Sequence, residues 1–324
     1  MKKLVLFLLI VLVGLWAVVH KTSRETIVIY SAMEQYRNDD LQAQLAKRFP
    51  NLSIQIMYLP TAKIAAKVRV EKTETDADIL LGVETGYLEM VKDSLAEVTH
   101  LSRLEYLDGM NPEHGKYLIW ESYGAGIAVN TQMLEKHGLP EPKTYDDLKK
   151  PMYRNLIALQ DPKSSSTGYN VYLNLRNTRG LQATLDFYDT LNPNVKLYSE
   201  SSSGPVKLLI QGEIVAGTAL TYQIVTEINK GNPLKMIYPP EGSPYSLDGT
   251  TMISGRESSP AIRKVFEFIV NDVLVYDKEH YNPGRILKSQ SRTLPNFPKN
   301  IRYADMTDLH NLDVKKELLS RWKY

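Results

Sequence analysis

The chain has no cysteine, which removes thiol catalysis, disulfides, cysteine-ligated metal and lipid attachment through an N-terminal cysteine. It also lacks an excess of charge of either sign. With 39 basic and 37 acidic residues the net charge is +2, so no basic field favours nucleic acid and no acidic tail is present. Histidine is scarce: His20, His100, His114, His137, His280 and His310 occur at no metal-ligand spacing. Enzyme signatures are missing too. Gly109 to Lys116 imitates a phosphate-binding loop, but five residues separate its glycines and Tyr117 stands where Ser or Thr is required. There is no Gly-x-Ser-x-Gly elbow and no His-Glu-x-x-His helix. The residues therefore predict a protein that is not an enzyme and needs no cofactor.

What is present sets a different class. At 324 residues and 43% hydrophobic, the chain can build two ordinary domains with separate cores. Lys2 and Lys3 precede an apolar run from Leu4 to Val19, the pattern of a secretory signal. Residues 1–24 are thus expected to direct export. No small-x-small cleavage site follows before Lys21, and Ala17-Val18-Val19 is a poor match, so the segment serves either as a cleaved signal or as an anchor. The 20 tyrosines suit a cleft that stacks or hydrogen-bonds a polar ligand, although most pack as ordinary amphipathic side chains.

From Thr26 onward strands and helices alternate. Ile27 to Tyr30 reads as a strand, and Leu41, Leu45, Ala46 and Phe49 recur at helical spacing until Pro50. Leu52 to Tyr58 alternates as a half-buried strand, Thr61 opens a helix, and Asp78 to Leu81 gives a third strand before an expected turn from Gly82 to Gly86. This β-α-β-α-β order implies a largely parallel sheet with helices on both faces. Ligands of such sheets lie beyond the carboxyl ends of the strands, which singles out Ser31, Ala32 and Glu34 after the first strand and Glu84 after the third. Further on, Ile214 to Leu220 reads as a buried strand delivering Tyr222, and Glu241 to Thr250 as a loop before a strand at Thr251 to Ile253.

Two serine-rich stretches carry the chemistry. Asp161-Pro-Lys-Ser-Ser-Ser-Thr-Gly-Tyr169 leads from a strand into a helix expected from about Gly168 to Asn177. Ser199-Glu-Ser-Ser-Ser-Gly-Pro205 leads into a second helix, with Pro205 in its first turn. A helix start offers unpaired N–H groups and partial positive charge, and hydroxyl side chains add donors, so Ser165, Ser166, Thr167, Ser202, Ser203 and Gly204 are candidates to hold a phosphate or carboxylate. The competing role for Ser166 or Thr167 is a plain helix cap.

These segments together resemble the periplasmic solute-binding proteins of ABC importers, in the cluster that binds ferric iron, phosphonates and sugar phosphates. Ile27 to Ala32 is similar to the opening strand and Ala77 to Leu81 to the third. Asp161 to Tyr169 is similar to the Asp-Pro-x-x-Ser-Gly-Thr-Gly-Tyr loop, with Ser166 in place of glycine, and Gly212 to Tyr222 resembles the strand that presents a ligand-facing tyrosine. The resemblance implies an α/β, two-lobe periplasmic-binding-protein-like fold with two crossing hinge strands. Lobe 1 would take residues 25–122 and 248–324, with the C-terminal tail free to pack on lobe 2, and lobe 2 would take 123–247. It also implies a monomer that captures a phosphate- or phosphonate-bearing anion, such as an aminoalkylphosphonate or a sugar phosphate, and delivers it to a membrane permease. A ferric-iron receptor using Glu34, Glu84 and Tyr222 is the first alternative, although Thr221 breaks the adjacent tyrosine pair of iron binders. A membrane-anchored co-sensor working with a sensor kinase is the second.

Overall fold

The computed structural model describes residues 26–290 and 294–324; the export segment at 1–24 lies outside them. Apolar alternation sets the first strand, where Ile27 and Ile29 are fully buried, and the 3.6-residue period sets the first helix, whose Leu41 and Leu45 face the same core. In chain order the strands are β1 (Thr26–Ser31), β2 (Ser53–Tyr58), β3 (Ile79–Glu84), β4 (Leu118–Asn130), β5 (Ile157–Gln160), β6 (Val195–Ser199), β7 (Ala216–Leu220), β8 (Leu234–Ile237) and β9 (Tyr245–Met252). The first helices are α1 (Gln35–Arg48), α2 (Thr61–Glu71), α3 (Thr85–Val91), α4 (Thr131–Lys136), α5 (Ser166–Arg179) and α6 (Leu181–Leu191). They are followed by α7 (Gly204–Ile210), α8 (Thr221–Asn229), α9 (Pro260–Phe268), α10 (Leu274–His280) and α11 (Leu312–Arg321). None of the described helices is long and apolar enough to cross a membrane.

The sheet order is β2-β1-β3-β9-β4-β7-β5-β6, with β8 paired to β4. β1 runs parallel to β2 and β3, and β5 runs parallel to β6 and β7. Between these parallel halves lie β9 and β4, antiparallel to each other and to their outer neighbours. Two large cores, with smaller clusters beside the second, follow from this arrangement among the described residues. One gathers Ile27 to Trp120 with Met252 to Leu287, and the other gathers Ile127 to Ala216 with Ala304 to Trp322. β4 contributes Leu118 to the first core and Ile127 to the second, so it crosses between lobes. β9 does the same in reverse, with Met252 in the first core and Tyr245 packed against the second.

Several local expectations change. β3 continues to Glu84 and passes directly into α3, so the expected turn at Gly82 to Gly86 is a strand end and a helix start. β9 begins at Tyr245 rather than Thr251. Tyr245 to Gly249 contains few apolar residues, and pairing with both β3 and β4 compensates for that weak strand propensity. α5 begins two residues before the expected Gly168. That glycine is needed where the helix meets β5: a Cβ there would lie 2.7 Å from the Gln160 carbonyl oxygen. The C-terminal tail packs on the second core, where the Trp322 ring lies 5.6, 4.8 and 5.3 Å from those of Tyr172, Tyr188 and Tyr198.

Candidate functional site

The carboxyl ends of β1, β5 and β6 and the start of α8 converge on a cavity between the lobes. It is lined by Ala32, Met33, Glu34, Tyr58, Thr61 and Glu121, by Tyr123, Ser164, Ser165, Ser166 and Glu200, and by Ser201, Ser202, Tyr222 and Asp248. The cavity measures about 30 Å³, a few times the roughly 10–15 Å³ that one water needs. A group of a few heavy atoms fits there.

On the lobe 2 side, the Asp161-Pro162 turn is closed by Ser164 and Ser165 N–H groups donating to the Asp161 carbonyl at 3.2 and 2.9 Å. The side chain of Ser165 does not cap α5; its Oγ lies 3.2 Å from Ser202 Oγ. Thr167 donates to Ser202 Oγ at 2.8 Å, and Tyr123 donates its hydroxyl to Ser166 Oγ at 3.1 Å. A serine that already accepts a bond keeps its own proton to give. Ser166, at the start of the 14-residue α5, and Ser202, in the second serine loop beside it, are therefore presented as donors. Gln160 fixes the second loop by donating to the Ser202 carbonyl at 3.0 Å.

The lobe 1 side is held by one buried guanidinium. Arg37 of α1 donates to Asp277 at 3.0 and 2.9 Å, to Glu121 at 2.7 Å and to Glu34 at 3.1 Å. Burial alone would lower the Arg37 pKa, but Asp277 and Glu121 outweigh it and raise it well above the ordinary value. Glu121 is likewise pushed up by burial, yet Arg37 and Lys278 hold it below the usual carboxylate range. From lobe 2, Tyr222 donates its hydroxyl to Glu34 at 2.6 Å, and Gln223 donates to the same oxygen. These bonds close the lobes upon each other. Burial and the neighbouring Glu121 and Glu34 raise the Tyr222 hydroxyl well above its ordinary pKa, so it stays a proton donor.

Of the sequence candidates, Ala32, Glu34, Ser165, Ser166, Ser202 and Tyr222 line the cavity. The others do not. Ser31 is buried beneath it, donating to Asn38 at 2.7 Å and accepting from the Met33 N–H. Thr167 is fully buried and serves Ser202. Ser203 is the residue before α7, and Gly204 packs so tightly on Ser199 that a Cβ would sit 1.9 Å from its hydroxyl oxygen. Glu84 is turned away into an ion pair with Lys315 at 3.0 Å, because the strand that was expected to end at Leu81 carries it into the core. Among the described residues, no group of three or more His, Asp or Glu side chains is arranged to hold a metal ion.

A family model described as "Bacterial extracellular solute-binding protein" matches residues 79–303. The chain belongs to this family. It is a transport receptor, not an enzyme, of the kind that serves ABC importers. An uncharacterized protein of Haemophilus influenzae is 29% identical over 202 residues, 59% of this chain and 57% of that one. The spermidine/putrescine-binding periplasmic protein of Salmonella typhimurium is 23% identical over 272 residues, 78% of this chain and 74% of that one. Among solved structures, a periplasmic binding protein of Actinobacillus pleuropneumoniae with fructose-6-phosphate bound has a TM-score of 0.74 at 20% identity, covering 92% of this chain and 98% of that one. Iron-bound HitA of Pseudomonas aeruginosa has a TM-score of 0.73 at 15% identity, covering 91% and 97%. Both structures share the solute-binding fold.

Sequence reasoning missed Arg37, Glu121 and Asp248 in this solute-binding protein. Arg37 of α1 follows Glu34, the residue before that helix, by three positions, a spacing that invites a pair, but its other partners Glu121 and Asp277 lie 84 and 240 residues away. Asp248 was hidden in a presumed loop. Its carboxyl is pushed well above the ordinary value by burial and then by Glu121 and Glu84. The folded protein thus keeps a proton that the unfolded chain releases near pH 4. Stability from this group is present at low pH and falls by about 1.4 kcal/mol per pH unit until the raised folded pKa is passed. Asp248→Asn removes that loss. Thermal unfolding between pH 4 and 8 is expected to show a higher Tm for the variant at neutral pH, with the gap closing toward pH 4; a lower Tm at pH 7 contradicts it.

Proposed function

We propose that this receptor binds a small molecule bearing a phosphate or phosphonate group in the interlobe cavity and presents it to an ABC permease outside the cytoplasm. The observation that carries this reading is the donor array where the start of α5 meets the second serine loop: Ser166 and Ser202 each accept from a buried hydroxyl and keep a proton to give. The N–H groups of the first helical turn and the helix dipole add to it. The ferric-iron alternative is less well supported, because iron asks for anionic oxygens whereas Tyr222 is held protonated and Glu84 is bound to Lys315. Closure would bring Tyr222 and Gln223 onto Glu34 by hinge motion about β4 and β9.

Calorimetry with inorganic phosphate, alkylphosphonates and hexose phosphates tests the reading. Replacing Ser166 and Ser202 with alanine leaves the backbone donors in place and removes two hydroxyls, each worth roughly 1.5–3 kcal/mol to a charged acceptor. Because both hydroxyls would meet the same ligand group, the effects will not add fully, and a loss of at least about tenfold in affinity is expected. Wild-type protein that gives no heat with any of these ligands, but takes up ferric iron with a violet tyrosinate absorption, overturns the proposal.

A further inference from the structure

The end of lobe 1 remote from the cavity carries a basic groove. α1 shows which end this is. It starts just after Glu34, which lines the cavity, and its Arg37 bonds Asp277 of α10 at 3.0 Å. Its other end leads into Phe49, whose ring lies 5.7 Å from that of Phe268 at the end of α9, so α1 runs antiparallel to α9 and α10 and away from the cavity. The groove at that far end measures about 700 Å³; half-buried Phe49 and Phe268 lie along it, and exposed Arg48, Arg103, Arg263 and Lys264 rim it. Two of these cations are matched, Arg263 by Glu267 at 3.1 Å and Arg103 by Asp272 at 3.6 Å. Arg48 and Lys264 form no ion pair among the described residues, and Lys47 adds a further charge in the last turn of α1. The wall is built as well as charged. Between α9 and α10 the helix widens into a π turn at Ile269–Val273, where buried Asn271 donates to the Leu101 carbonyl at 3.0 Å and accepts from the Arg103 N–H at 2.6 Å; such turns recur at functional sites.

The chain enters lobe 1 at this same end. Thr26, the first residue of β1, pairs with Ser53 of β2, and the Leu52 N–H donates to the Phe49 carbonyl at 3.0 Å. In the sequence, six residues separate the apolar run Leu4 to Val19 from Thr26, and Lys21 and Arg24 are among them. A peptide of that length reaches at most about 25 Å. We propose that the groove rests on anionic phospholipid headgroups of the membrane that retains the apolar run as an anchor, so that lobe 1 lies on the bilayer with its cavity end turned away. Guanidinium and ammonium groups bond phosphate oxygens, and long Arg and Lys side chains lie along apolar surface with their charges outermost. Each basic residue held close to an anionic bilayer strengthens attachment about fivefold. That attraction fades beyond roughly 10 Å, and the short tether keeps the groove returning to the surface. Delivery to a permease has to turn the receptor over, so this is its resting orientation. It is independent of which solute the cavity takes.

The absence of cysteine allows a direct test. Full-length protein is given a single fluorescent label, through Asn51→Cys beside the groove or through Lys207→Cys on lobe 2, both exposed positions. It is then reconstituted into vesicles of phosphatidylcholine, or of an equimolar mixture with phosphatidylglycerol, that carry a headgroup-attached quencher. The Asn51 label is expected to be quenched at least about threefold more in the anionic vesicles, the difference vanishing in high salt, and the Lys207 label in neither. Arg48→Glu with Lys264→Glu reverses two unpaired surface charges; it should leave the Tm within about 2 °C of wild type and return quenching at Asn51 to the phosphatidylcholine level. Equal quenching of the two labels, no response to phosphatidylglycerol, or undiminished quenching in the double variant overturns the assignment. An Asn51 label already shielded from an aqueous quencher in neutral detergent means that the N-terminal segment or a second copy of the chain fills the groove, and overturns it too. An intact mass that starts near Lys21 removes the tether and the proposal with it.

Discussion

Arg37→Met is expected to destabilise the protein by roughly 3–5 kcal/mol or more, the range seen when one partner of a buried ion pair is removed. The guanidinium side chain is 1% exposed and joins Glu34, Glu121 and Asp277. Removing it leaves these three carboxylates with Lys278 as the nearby cation, at 3.2 Å from Asp277. For a chain of this size the change should read as a fall in Tm of about 2–4 °C per kcal/mol. Arg37→Lys should recover little, since a single ammonium cannot reproduce a fork that bonds three carboxylates at once. Ligand affinity should fall too, because Glu34 accepts Arg37 and Tyr222 together. Chemical denaturation showing the Met variant within about 1 kcal/mol of wild type contradicts the account.

Lys315→Met is expected to cost a comparable 3–5 kcal/mol, although Lys315 lies on α11, far along the chain from the cavity. Its ammonium sits 3.0 Å from Glu84, with the two side chains 3% and 0% exposed. It also lies 3.5 Å from the Tyr87 ring centre and 4.4 Å from that of Tyr169. Tyr87 belongs to α3 of the first lobe and Tyr169 to α5 of the second, so one cation from the tail ties both. Burial pushes the Glu84 carboxyl up, but Lys315 and the Gly86 N–H outweigh it and leave its pKa below the ordinary value. A depressed folded pKa means stability that is present above the unfolded value near 4.3 and lost as the pH falls through the folded one. The Lys315→Met defect should therefore be largest at neutral pH and shrink in acid. Adding Glu84→Gln should recover a good part of it, because the uncompensated charge is gone; a double variant no more stable than Lys315→Met above pH 6 argues against this pair.

The alternation of apolar residues from Ile27 to Leu81 and the run Ile214 to Leu220 were enough to read an α/β chain, because a period of 2 or 3.6 is a local property. The serine loops were legible for the same reason: a Ser-rich stretch between a strand and a helix offers donors wherever that helix goes. Strand ends were less legible. Glu84 reads as a residue past a strand, yet β3 pairs with β9 up to Asp248 and carries Glu84 to Lys315 instead of the cavity. Tyr245 to Gly249 reads as a loop because its residues have little strand propensity, and only neighbours on both sides make it a strand. The acidic half of the cavity was closed to sequence reasoning altogether. Glu34, Arg37, Glu121, Asp248 and Asp277 are spread over most of the chain and follow no spacing rule. Which of them are paired and which lines the cavity depends on burial and on distances of a few ångströms, and those exist only once the two lobes have folded against each other.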